Sequence, residues 1–269
     1  MSDSLFKRIV TAVVLGAALL VVLLGLPPAF GVALVSVAVL AGAWEWSGFL
    51  KVTSPALRAA YVGLIAALIW GTWGIAASHA GRAALITAAV IWWCAALLWV
   101  ALAPQRASTA TAALAGVLAL VPAWLALVCM RLTDDGAQWV VFTLILVFAA
   151  DIGAYTGGRL FGRVRLAPRV SPGKTWEGVL GGILLSSAWA LAGSAWFHVP
   201  WRSFVPLCAA VVAFSIVGDL TESMLKRFAG LKDSGSLLPG HGGMMDRLDS
   251  ITAAAPVMLF GLTLIGVVP

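Results

Sequence analysis

The chain has 269 residues, of which 62% are hydrophobic and 10% charged, with a mean hydropathy of +1.03. Water-facing domains carry roughly 25% charged residues, so this composition excludes a soluble globular protein and requires a membrane one. The net charge of +6 does not by itself point to nucleic acid, because membrane topology distributes basic residues for its own reasons.

Backbone polar groups in lipid need internal partners, which leaves helices or a closed barrel. Barrel strands alternate over short segments, whereas here apolar runs of about 20 residues recur, the length of a spanning helix. Nine runs are predicted. The first five are Ile9 to Leu26, Ala29 to Leu50, Ala59 to Ser78, Ala83 to Ala103 and Ala107 to Met130. Then come Trp139 to Tyr155, Trp176 to Phe197, Phe204 to Leu220 and Ile251 to Val268. Lys7 and Arg8 before the first run suggest a secretory signal, but Pro27-Pro28 follows without a small-residue cleavage site. That run therefore reads as a retained helix. With the N-terminus in the cytoplasm, 14 of the 17 basic residues fall on the inner side, and only Arg82, Arg131 and Arg202 lie outside. This split matches the positive-inside rule and places the C-terminus outside. Most of the basic excess is therefore orientation, with a remainder available to an anionic partner. No nucleic-acid partner is expected.

The expected architecture is an all-α polytopic membrane protein, one membrane-embedded catalytic domain over 1–269, with two long cytoplasmic polar loops. Those loops run from Gly157 to Thr175 and from Thr221 to Ser250, while most other connections are short. Long connections in compact domains are usually functional or disordered. These mix glycine, charge and bulky apolar residues, which argues against disorder. Cys94, Cys129 and Cys208 lie singly in apolar runs without disulfide or zinc spacing and read as buried small hydrophobes. His79 and His198 read as solvated residues of outer loops.

Seven of the eleven acids lie in or beside the two loops: Asp151, Glu177, Asp219, Glu222, Asp233, Asp246 and Asp249. Asp151, Glu177 and Asp219 fall near predicted helix ends, where an ionised carboxylate is costly and marks a functional site. Glu45, between Trp44 and Trp46, is open between a structural and a functional role. Asp219 and Glu222 are three apart, as are Asp246 and Asp249, while Glu222 and Lys226 are four apart; each pair shares a helical face. Carboxylates converging from two helix ends suit Mg²⁺, which takes one or two of them plus substrate phosphates. On this reading Asp219 and Asp246 are the ligands, with Asp249 close by and Asp151, Glu177, Glu222 and Asp233 behind them. Internal salt bridging to Lys226, Arg227 and Arg247 is the alternative.

The stretch SPGKT is not a phosphate-binding P-loop, since that motif needs a glycine where Pro168 stands. It does put Ser171, Lys174 and Thr175 at a predicted helix start, where free N–H groups favour an anion; Ser171 could equally be a plain cap. Gly178 and Gly182, four apart, suggest close helix packing. The run PGHGG, ending in His241, Gly242 and Gly243, lets the backbone approach a ligand and point N–H groups at it. Lys226, Arg227, Lys232 and Arg247 flank that run, so the expected ligand is a metal-bound polyphosphate at the membrane surface.

The segment SMLKRFAGLKDSGSLLPGHGGMMDRLD, Ser223 to Asp249, resembles the signature of the bacterial phosphatidate cytidylyltransferases (CDP-diacylglycerol synthases). Its specified positions are Ser223, Lys226, Arg227, Lys232, Asp233, Pro239 to Gly243, Asp246, Arg247 and Asp249. The stretches AWEWSG, DIGAYTGGR, SPGKTWEG and GDLTES extend the likeness along much of the chain. The resemblance implies an Mg²⁺-dependent reaction of CTP with phosphatidic acid, giving CDP-diacylglycerol and pyrophosphate. It also implies an inner-membrane location and a homodimer, and it leaves room for a second, monovalent cation such as K⁺. On this expectation Asp219, Asp246, Lys226 and Arg227 are catalytic. Ser171, Lys174, Thr175, Ser223, Lys232, His241, Gly242, Gly243 and Arg247 bind substrate. A channel or transporter would spread its acids through the membrane depth; here they gather on one face. A transferase using a polyprenyl phosphate or an alcohol acceptor is opposed only by the signature.

Overall fold

The computed structural model describes residues 13, 14, 16–237 and 242–268. Lys7, Arg8, Pro239, Gly240 and His241 lie outside the described residues, and with them the expectation that His241 binds substrate. Among the described residues the helices are α1 (Gly16–Gly25), α2 (Pro28–Trp46), α3 (Pro55–Ala76), α4 (His79–Leu102), α5 (Thr109–Arg131), α6 (Gly136–Phe161), α7 (Trp176–Trp196), α8 (Trp201–Ala229) and α9 (Met245–Leu264). Helices α2 to α9 are each long and apolar enough to cross a membrane, and α1 is the described part of the first predicted run. Their starts follow from local chemistry. Pro28 and Pro55 open α2 and α3, where a missing N–H costs nothing. Ser78 and Ser108 cap α4 and α5 through their hydroxyls.

Both expected loops are shorter than their hydropathy suggested. Helix α8 does not stop at Leu220 but runs to Ala229, ending at Gly230 in the left-handed conformation, φ 74°. The Leu231 N–H closes back on the Lys226 carbonyl at 2.8 Å, a glycine-dependent C-terminal lock. The segment TESMLKRFA is polar yet made of good helix formers, so hydropathy marked a change of solvent and not a helix end. At about 1.5 Å per residue the 29 residues of α8 exceed a hydrocarbon core of roughly 30 Å, and its last turns stand beyond it. Likewise α9 starts at Met245, so Asp246 and Asp249 belong to its first turns.

The other segment is corrected in kind. Helix α6 continues through Gly157 to Phe161, and an antiparallel hairpin follows, β1 (Arg165–Ala167) paired with β2 (Ser171–Thr175). Ser171 pairs with Ala167 in that hairpin and is not at a helix start. Thr175 is the cap of α7, accepting from the Gly178 N–H at 3.1 Å. Pro172 sits in a strand of a two-stranded ribbon, where a missing donor is tolerated on the open edge.

Helix α9 is the hub, packing on α2, α4, α5, α6 and α8. Ser250 to Leu259 are buried without interruption, as expected of a helix that is apolar all round and enclosed by others. Cys94, Cys129 and Cys208 are free thiols, exposed, half-buried and buried in turn. His79 is the first residue of α4 rather than a loop residue.

Candidate active site

Close helix crossings bring the polar groups together. Between lipid-embedded helices there is little hydrophobic drive, so small residues that allow backbone contact decide which pairs meet. Helices α6 and α7 meet glycine to glycine: a Cβ on Gly153 would run into the Gly181 backbone, and one on Gly182 would come within 2.8 Å of the Ala150 carbonyl. The expected close packing at Gly178 and Gly182 is thus present. Helices α8 and α9 cross where Gly218 meets the Asp249 carbonyl, which sets Asp219 beside Asp249.

Lys174, at the end of β2, reaches Asp219 Oδ2 with its Nζ at 2.5 Å. Glu177 accepts from the Val164 N–H with both oxygens at 3.2 Å, tying the base of the hairpin to α7. On α8, Asp219, Glu222, Ser223 and Lys226 share one face. Ser223 Oγ donates to Asp219 Oδ1 at 3.3 Å. Lys226 Nζ lies 3.2 Å from Glu222 Oε1 and 2.8 Å from Asp246 Oδ1. Asp246 also accepts from the Gly243 N–H at 2.9 Å and the Ser234 N–H at 3.1 Å. Gly242 adopts φ +83°, and a Cβ there would press on Asp246 Oδ2 at 3.2 Å, so glycine fits both its backbone and its neighbour. Thus the alternative reading, salt bridging to Lys226, describes this geometry for Glu222 and Asp246.

Three further contacts complete the charge map. Asp249 is within electrostatic reach of Asp219, Lys174 and Lys226. Asp151 is within reach of Asp219, Lys174 and Arg247, and Glu222 of Asp249 and Asp246. Among the described residues, five carboxylates therefore share this corner with three cationic side chains, Lys174, Lys226 and Arg247. The buried Glu222 carboxylate has the Lys226 ammonium, 3.2 Å from Oε1, as its partner. Among the described residues no three acid, histidine or cysteine groups already form a metal cage. The carboxylates' oxygen donors are nevertheless of the hard kind that a divalent cation takes.

Next to this cluster lies a cavity of about 550 Å³ between α6, α7, α8 and the hairpin, within the usual range for a small-molecule site. Asp151, Tyr155, Arg159, Lys174 and Asp219 supply its polar wall, and Val179, Val212 and Ile216 its apolar one. Asp151 and Asp219 each stand ten residues before the end of their helices, deeper than expected. Tyr155 and Arg159, which hydrogen-bond to each other at 2.8 Å, fall in the stretch DIGAYTGGR but were not among the expected site residues. The signal was present, since Asp151, Tyr155 and Arg159 recur every fourth residue on α6.

Not every expected residue joins the cluster. Arg227 lines a separate cavity of about 270 Å³ with Arg169, Met224 and Phe228. Ser171 does not line the large cavity. Lys232 and Asp233 are exposed in the loop after α8. Glu45, left open by sequence, is buried at 6% exposure and accepts from the Met245 N–H at 2.8 Å and from Ser234 Oγ at 3.1 Å.

Fold and site together define a polytopic helical membrane protein with an acid-and-lysine cluster beside a cavity that has a polar and an apolar wall. Residues 6–265 match the model of the Cytidylyltransferase family. The phosphatidate cytidylyltransferase of Pseudomonas aeruginosa is 40% identical over 260 residues, covering 93% of this chain and 94% of its own. That of Haemophilus influenzae is 40% identical over 93% of this chain and 96% of its own. The Mycobacterium bovis enzyme of the same name is 32% identical over 96% of this chain and 88% of its own. The chain belongs to the cytidylyltransferase family.

Proposed function

We propose that this protein transfers the cytidylyl group of CTP to phosphatidic acid, giving CDP-diacylglycerol and pyrophosphate, at the cavity between α6, α7 and α8. One observation carries the siting. Lys174 on Asp219 lines a cavity with both a polar and an apolar wall, and Lys226 on Asp246 stands two turns further along α8, which suits one water-soluble and one lipid substrate. A phosphate monoester has its second pKa near roughly 6, so the lipid phosphate arrives with an ionised oxygen and needs no general base. That oxygen attacks the α-phosphorus of CTP, a new P–O bond forms, and the bond to the β-phosphate breaks with its electron pair leaving on pyrophosphate. Such transfer depends on alignment and charge neutralisation. Lys174 and Lys226 supply positive charge to the phosphates, and the apolar wall holds the glycerolipid.

Asp219 and Asp246 would hold Mg²⁺, with Asp249 beside them; bound there, the cation neutralises phosphate charge. A monovalent cation such as K⁺ would find oxygen donors in the same cluster. Ser223, on Asp219, and Arg247, within reach of Asp151, support the carboxylates. The outward placement of Arg227 favours a role away from the reacting phosphates. The basic-residue split supports a cytoplasmic site in a bacterial inner membrane with the N-terminus inside, and the family resemblance supports a homodimer.

Manganese, as a spin-active substitute, tests the metal assignment. Asp219→Asn and Asp246→Asn should each weaken Mn²⁺ binding to the purified protein, read by electron paramagnetic resonance, and remove most turnover. Unchanged Mn²⁺ binding in both variants would refute the ligand set.

A further inference from the structure

Helix α9 begins without a cap of its own. Met244 precedes it in helical conformation and makes no side-chain cap bond, although the first N–H groups of a helix have no intrahelical partner. Two of them are satisfied from far along the chain. The Met245 N–H donates to Glu45 Oε2 at 2.8 Å, and the Asp246 N–H donates to Ser234 Oγ at 3.2 Å. Ser234 Oγ in turn donates to the same Glu45 oxygen at 3.1 Å, and the Ser234 N–H donates to the Asp246 carboxylate. Glu45 and Ser234 are both buried. A Cβ on Gly235 or Gly243 would collide with the Glu45 carboxylate, so the loop closes on that side chain with no room to spare. A carboxylate also suits the positive end of the helix dipole.

We propose that Glu45 is a positioning residue for the reaction: acting through Ser234 and the first turn of α9, it fixes Asp246 against Lys226. Glu45 does not line the cavity and touches no reacting group. Its anchor is α2, which packs on α9 and on α5, so the aim of a carboxylate at the end of the chain is set by a residue near its beginning. The proposal rests on the reading of Asp246 as a working carboxylate.

The test uses the full-length protein in lipid–detergent micelles, with kcat and the KM for CTP measured separately. Glu45→Ala and Ser234→Ala should each lower kcat by about tenfold to a hundredfold, the scale of a misplaced catalytic group, while the KM for CTP moves less than about threefold. Glu45→Gln should return kcat to within about threefold of wild type, because one amide oxygen can accept from both donors. Glu45→Asp should stay low, since it keeps the charge but falls one methylene short. The Glu45→Ala/Ser234→Ala pair should be no worse than the poorer single variant, as expected of groups acting as one unit. Should Glu45→Ala fail to fold, Ser234→Ala decides: wild-type kcat there overturns the proposal. Asp246→Asn separates the two layers. Full activity in Asp246→Asn removes the underlying reading and the proposal with it. An inactive Asp246→Asn alongside wild-type kcat in Glu45→Ala and Ser234→Ala overturns the proposal alone.

Discussion

Replacing Lys226 by methionine keeps the length of the side chain and removes the charge that Glu222 and Asp246 share. Glu222 is 1% exposed, and among the described residues its ion pair is with Lys226, at 3.2 Å. Asp246 is better provided for, because two backbone N–H groups remain on it. Breaking a buried pair by removing one partner costs up to about 3–5 kcal/mol, the penalty of an uncompensated buried charge, reduced as far as the carboxyl takes up a proton instead. For a chain of this size, that corresponds to a fall in Tm on the order of 10 °C. Removing both charges changes the outcome, since well-packed apolar replacements of buried pairs are often neutral or stabilising. Glu222→Leu/Lys226→Met should therefore regain stability to within about 1 kcal/mol of wild type while remaining inactive for want of the ammonium group. Thermal unfolding in detergent, followed by the fluorescence of the 13 tryptophans, reads the stability. The reasoning is wrong if the double variant is as unstable as Lys226→Met, or if Lys226→Met unfolds with the wild-type protein.

Other sites give independent outcomes. Lys174→Ala and Lys226→Ala should each raise the KM for CTP or lower kcat, and their double variant should be non-additive if hairpin and helix serve one nucleotide; wild-type kinetics in Lys174→Ala would return the hairpin to a structural role. Gly181→Val should abolish folded protein in detergent, because a side chain there meets the Gly153 carbonyl; a stable, active variant contradicts the glycine crossing. In a Cys94→Ser background, needed because Cys94 is exposed, cysteines at Ser236 and Arg202 should label from opposite sides of the membrane; same-side labelling rejects the threading.

The membrane architecture was legible because length and apolarity are what a bilayer selects, and α2 to α9 all fall within or around the predicted runs. Helix ends were not legible where α8 leaves the bilayer, since TESMLKRFA is helical without being apolar. The hairpin was hidden by Pro168, Pro172 and Gly173, which read as a loop before a helix. At the site, the spacing of Asp219, Glu222 and Lys226 gave the shared face of α8 correctly. The same spacing rule separates Lys226 from Arg227, because adjacent helical residues point about 100° apart, and the structure puts Arg227 in another cavity. Glu45 was unreadable for a different reason: its partners lie 189 and 200 residues away, and no local pattern reports a contact of that separation.

The central claim is that CTP gives its α-phosphorus to a lipid phosphate in this protein, and the fate of two labels tests it most directly. Purified protein is supplied with phosphatidic acid and CTP labelled at either the α- or the γ-phosphorus. The α-label should move into an organic-extractable lipid and the γ-label into soluble pyrophosphate, with equal amounts of the two products and neither formed by Asp246→Asn. Transfer of the γ-label into lipid, or release of inorganic phosphate in place of pyrophosphate, would contradict the account.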